Sequence, residues 1–158
     1  MIEAYKCFRE GLINRYGEKF TIGEVYHIDN EILFRKNGFH MCVNLEDTLR
    51  YFDSFEENID IAKVYGFGKI NKYDDEYNEF FDMYATEYMI IDHVLTREEI
   101  ISYTNHISEM QLKRFLSLYK LNDLELEYFK EKCKKNIMLM QTIDYYQGNH
   151  EKIKLLKK

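Results

Sequence analysis

Lys36-Asn37-Gly38-Phe39-His40-Met41-Cys42-Val43-Asn44-Leu45-Glu46-Asp47 compresses a turn, a short strand and a helix start into twelve residues. Asn37-Gly38 is a tight-turn signal, because both residue types tolerate φ > 0. Phe39 to Val43 is then extended, which puts His40 and Cys42 at i and i+2 on one face. Asn44 is a candidate cap for the free N–H groups of a helix, with Asp47 reaching back from its third position. Leu45, Thr48, Leu49 and Phe52 follow at i, i+3, i+4 and i+7, one helical face. Strands and a helix of this size alternate too tightly for crossover units and predict an antiparallel sheet.

Outward from this stretch, the first hundred residues read as short strands: Ala4 to Phe8, Glu24 to Ile28, Ile61 to Ile70 and Tyr84 to Val94, with Ile32-Leu33-Phe34 a short apolar run. Gly11, Asn14, Gly17 and Gly23 make residues 9–23 rich in turns. Gly66 and Gly68 mark a bulge or a close backbone approach, since a phosphate loop needs a longer glycine run ending in Lys-Ser/Thr. Beyond residue 94 the chain is helical. Thr96/Glu99, Ser108/Gln111 and Asn122/Glu125 form three capping boxes, flanked by the apolar pairs Leu95/Ile100, Ile107/Leu112 and Leu121/Leu126. Leu126, Phe129, Cys133, Ile137, Met140 and Ile143 fall on one stripe, which predicts a continuous last helix ending near Gly148. The fold class expected is α+β: a small, mainly antiparallel sheet with one packed helix over residues 1–106, a C-terminal helical hairpin over 107–148 packing on it, and a frayed polar tail at 149–158.

The 158 residues are 46% hydrophobic and 16% aromatic, enough for a sizeable core. No apolar run approaches the roughly 18 residues of a membrane span, and Met1 to Lys6 lacks the pattern of a signal peptide. Three cysteines without a pairing pattern suit a reducing cytosol. Residues 1–106 carry 11 basic and 21 acidic side chains, and residues 107–158 carry 11 and 7. The acidic part repels nucleic acid, and the basic tail complements it without any partner. Two basic helices joined by a short turn, at Leu112–Lys120 and Asn122–Lys135, have the outline of a helix-turn-helix but no base-reading face. Their apolar stripes also allow pairing with a second copy of the chain.

Several residues carry candidate chemistry. His40 and Cys42 are a potential thiol–imidazole or zinc pair, but two ligands do not make a site, and i, i+2 side chains stand about 6–7 Å apart, too far for a direct hydrogen bond. The simpler reading makes Cys42 core and has His40 satisfy a backbone group near the turn. No metal or cofactor is expected. Asp74, Asp75, Glu76, Glu79 and Asp82 lack the glycine and spacing of a calcium loop. The interleaved Tyr73, Tyr77 and Phe80 read instead as anchors for a protein partner. Glu87 is a lone carboxylate in an apolar strand, either facing solvent by alternation or held for function.

Tyr5-Lys6-x-Phe8, Gly38-Phe39-His40-x-Cys42, Asn44-x-x-Asp47, Tyr51 and Ala62-Lys63-Val64-x-x-x-Gly68 together resemble an uncharacterised family of small phage and bacterial proteins with a G-F-H-x-C motif. The likeness spans roughly residues 4–100 and brings no activity with it. A looser likeness is to the ADP-ribosyltransferase fold. It implies NAD held near Lys6 or Arg9, a central region at the Gly38-Phe39-His40 turn and Tyr51, and Glu87 as the key carboxylate. The chain has Lys6 where that pattern has Arg or His, and no Ser-Thr-Ser element follows Gly38. Two functions are therefore expected: a cytosolic protein-binding or regulatory module of phage or mobile-element type, and, as its rival, an NAD-dependent ADP-ribosyltransferase-like enzyme.

Overall fold

A computed structural model describes residues 1–33, 36–72 and 82–156, with side chains described through Gly148. Its strands are β1 (Ile2–Arg9), β2 (Val25–His27), β3 (Phe39–Cys42), β4 (Ile59–Lys72) and β5 (Met83–Val94). One helical turn, α1 (Leu45–Thr48), lies between β3 and β4. After β5 come α2 (Arg97–Tyr103), a 3-10 turn, α3 (Glu109–Leu118), α4 (Asp123–Cys133) and α5 (Ile137–Leu156). Every strand pairing is antiparallel, and the class is α+β.

The sheet closes on itself. Its order is β2-β5-β3-β1-β4, and β4 pairs again with β5. One edge of β5 is zipped to β4 along most of its length, and the other edge is shared end to end by β3 and β2. Closure demands strong local twist, which β4 supplies through two register shifts. One of them contains Gly68 at φ +78°, and there the Glu87 carboxylate accepts the Lys69 N–H at 2.9 Å. Gly66 serves a close approach instead: a Cβ there would lie 2.5 Å from Thr86 Cγ2 and 2.7 Å from Met41 Sδ.

Closure separates two apolar cores by strand alternation. Ala4 and Phe8 of β1 face the barrel interior with Met41, Ala62, Val64, Met89 and Ile91, and Leu12 and Phe20 join them. Cys7 and Ile61 face outward onto the helical layer, where Leu45, Leu49, Phe115, Leu116, Phe129 and Ile143 complete one core. The helices thus cover the outer face of β1 and β4.

All three capping boxes form, with both reciprocal bonds present in each. Two helix readings need correction. The helix at Asn44 is a single turn. Its expected face is buried at Leu45, Thr48, Leu49 and Phe52, but Asn44 makes no side-chain cap bond; Asp47 reaches back to the Asn44 side chain, accepting from its Nδ2 at 3.3 Å, and also pairs with Arg114. The last helix is two helices. Asn136 caps α5, its Oδ1 accepting the Leu139 N–H at 3.1 Å. The break leaves Ile137 77% exposed rather than on a continuous stripe. Gly148 does not end α5, which stays helical to Leu156.

Candidate functional site

A cavity of about 660 Å³ opens beside the seam between β1 and β3. The seam is barely zipped: β1 shares eight registered pairs with β4 but one with β3, Tyr5 with Cys42. Beyond that pair the Lys6 side chain takes the place of the ladder, its Nζ donating to the His40 carbonyl at 2.6 Å. The walls come from β1, β3, the 36–38 turn, the segment after α1 and the loop at residues 14–20.

That loop is built by Asn14, whose Oδ1 accepts the N–H groups of Tyr16 and Glu18 while its Nδ2 donates to the Glu18 carboxylate. The arrangement sets Arg15 at the cavity wall. Upstream, Gly11 and Leu12 both adopt positive φ, so their N–H groups converge on one oxygen of Asp60, at 2.7 and 3.1 Å. This clamp turns the chain back so that Phe20 closes the barrel end against Phe8, Tyr26 and Phe39.

The lining is basic and aromatic. Among the described residues it carries Lys6, Arg15, Lys36 and Arg50 against Glu18 alone, in a chain whose net charge is −6. Tyr5, Tyr16, Phe20, Phe39, Tyr51 and Phe52 supply ring surface. Lys6 is the unusual member. It faces the barrel interior, in register with Ala62 and between Ala4 and Phe8, with its ammonium 5.8 Å from the Phe8 ring centre. No carboxylate among the described residues pairs with it. Burial lowers its pKa to about 8. Burial also lowers that of His40, with the neighbouring Lys6 charge adding to the effect, while a hydrogen bond to the Gly38 backbone opposes both. Cys7 and Cys42 are buried free thiols pushed up to about 12, also by burial, so both stay protonated and inert at neutral pH.

Of the candidates named from sequence, Lys6, His40 and Tyr51 line this one cavity, and Cys42 lies in its wall. Glu87 is not among the lining residues. It accepts the Lys69 N–H and sits 3.4 Å from His27 Nε2, beside a surface stack of His27, Tyr88 and Phe67. Those contacts hold its carboxyl below the usual range, the Lys69 N–H contributing most. Tyr73, Tyr77 and Phe80 lie outside the described residues. Among the described residues no group of three His, Cys, Asp or Glu side chains is placed to hold a metal, and no helix is long and apolar enough to cross a membrane.

Sequence reasoning missed Arg15 and Arg50, because isolated arginines in turn-rich segments carry no local pattern. It also missed a buried polar cluster behind the cavity. Glu46, fully buried, accepts hydrogen bonds from Tyr103 Oη at 2.7 Å, Gln111 Nε2 at 2.9 Å and Arg114 Nη2 at 3.2 Å. Asp47 lies 3.3 Å from Arg114, and burial outweighs that guanidinium to raise its carboxyl to about 6. The cluster ties α2 and α3 to α1, directly after the cavity's β3 wall.

Fold and site together define a small closed antiparallel barrel with a basic, ring-lined cavity at one seam and a helical layer on its outer face. The chain belongs to the family described as a domain of unknown function, DUF7666, whose model matches residues 2–91. The match takes in β1 to β3, α1, β4 and most of β5, and therefore every residue lining the cavity. Comparison with curated proteins and with solved structures gives no match.

Proposed function

We propose that this domain binds a small organic anion carrying a flat ring, of the phosphorylated heterocycle class, in the cavity beside the β1–β3 seam. The observation that carries the reading is the Lys6 ammonium, half-buried at the cavity wall with no described carboxylate to pair with it. A buried charge is costly until it is paired, and a bound anion supplies the partner. Arg15 adds a second charge at the wall, also without a described carboxylate. The volume lies within the roughly 300–1,000 Å³ usual for small-molecule sites, and the tyrosine and phenylalanine rings suit a planar group.

NAD belongs to this ligand class, so the transferase reading shares the cavity. Glu87, the carboxylate that reading relies on, is held at the β4 bulge by the Lys69 N–H. Binding without NAD cleavage is the reading the geometry favours.

Thermal shift with inorganic phosphate, AMP, NAD and pyridoxine phosphate tests the proposal, beside the neutral analogues adenosine and pyridoxine. A ligand at about 100 times its Kd adds roughly 2.7 kcal/mol. Arg15 is exposed on its loop, so Arg15→Ala is expected to leave the unliganded melting temperature unchanged and to weaken anion binding about tenfold, the worth of one charge-assisted hydrogen bond. The reading fails if no anion shifts the transition, or if the neutral analogues shift it as much.

A further inference from the structure

We infer that Lys6 is a carbonyl-reactive amine, and that the anion received by the cavity is an aldehyde or ketone which Lys6 Nζ joins as an imine. The inference rests on the anion-binding reading above and deepens it by naming the reacting group. Three features of the site converge. Lys6 occupies an inward position of the barrel among apolar neighbours, in register with Ala62 and flanked by Ala4 and Phe8. Its head group is fixed at the seam where the cavity opens, by one bond to the His40 carbonyl. Arg15 lines the same cavity, so the ligand's negative charge has a cation to rest on other than the reacting amine. An amine desolvated in this way, with a guanidinium nearby, is the setting in which lysine becomes a nucleophile.

Burial supports the geometry. With its pKa lowered to about 8, about a tenth of Lys6 is the free amine at pH 7, against well under a thousandth for an ordinary lysine. The competing nucleophiles in the wall are silent, since Cys7 and Cys42 hold their protons. The step balances without oxidant or reductant. The Nζ lone pair attacks the carbonyl carbon, an N–C bond forms, and the carbonyl oxygen leaves as water with the two amine hydrogens. The product is a neutral imine, which takes up a proton to become the iminium.

Pyridoxal phosphate is the probe, being an anionic aromatic aldehyde, and pyridoxine phosphate is its counterpart without the aldehyde. The full chain is incubated with limiting pyridoxal phosphate, reduced with borohydride and mapped by peptide mass. The expected result is a single adduct on Lys6, formed about tenfold or more faster than on exposed Lys69, and suppressed by excess pyridoxine phosphate. Labelling spread over surface lysines, with Lys6 modified no faster than Lys69, overturns the inference. A melting shift with pyridoxine phosphate but no adduct on Lys6 overturns the imine and leaves anion binding standing. No shift and no adduct removes both. The mapping is done on the unaltered chain, so the outcome does not depend on a Lys6 variant folding.

Discussion

Replacing Lys6 with methionine tests the electrostatics of the seam without any ligand. A lysine titrating near 8 in the folded chain and near 10.5 unfolded binds fewer protons when folded, between those two values. Stability therefore rises with pH across that window, by at most about 1.4 kcal/mol per pH unit, and is flat below it, where the whole penalty is in place. The full shift corresponds to about 3 kcal/mol. The side chain is partly exposed towards the cavity, and water there screens it, so about 2 kcal/mol is the expected size. Lys6→Met removes this penalty and also the bond to the His40 carbonyl, worth about 1.5–3 kcal/mol. The two nearly cancel at pH 7, and the pH profile carries the information. Other groups titrate in the same range: Cys7, Cys42, Tyr5, Tyr103 and Tyr119 are all raised by burial and make stability fall as pH climbs. Both chains share them, so the quantity to read is the difference between wild type and variant. Urea unfolding at pH 7.0, 8.0, 8.75 and 9.5 should show wild type gaining about 0.7–1.6 kcal/mol on the variant between pH 8 and 9.5. Parallel profiles, differing by a constant to within about 0.5 kcal/mol, would mean that Lys6 is well solvated and that its charge is not the feature that defines the cavity.

Glu46→Ala strips three hydrogen bonds from a fully buried carboxylate and leaves Tyr103, Gln111 and half of the Arg114 pairing unmet. A loss of about 3–5 kcal/mol is expected in chemical denaturation, with the lower end favoured because Arg114 keeps Asp47; a loss under about 1 kcal/mol would assign the cluster no more weight than a surface ion pair. Gly66→Ala drives a methyl into Thr86 and Met41 inside the barrel and should cost about 1–3 kcal/mol. Gly148→Ala, in open space on α5, should gain up to about 1 kcal/mol. If the two glycines respond alike in thermal melts, the close approach at Gly66 does not constrain the barrel.

The local signals were legible because their chemistry is local. A capping box is four consecutive residues satisfying their own backbone, and Thr96, Ser108 and Asn122 did so wherever the chain placed them. Gly66 and Gly68 announced a backbone peculiarity, and the tertiary structure made one a contact and the other a bulge. Asn136 was a cap without a Glu or Gln three residues on, so the break between α4 and α5 passed unseen and Ile137 was assigned to the core.

What the sequence by itself determined was the strand alternation and the three helix starts marked by capping boxes, since each depends on residues within a turn or two of one another. It also singled out Lys6, His40, Cys42 and Tyr51, though not that they meet. Their meeting depends on barrel closure: β5 pairs with β4, β3 and β2 across separations of about 12 to 65 residues, and no short window of sequence records that register. Only closure decides that Lys6 points into an apolar interior, that Arg15 arrives from a loop at the same cavity, and that Glu87 is kept outside at a bulge.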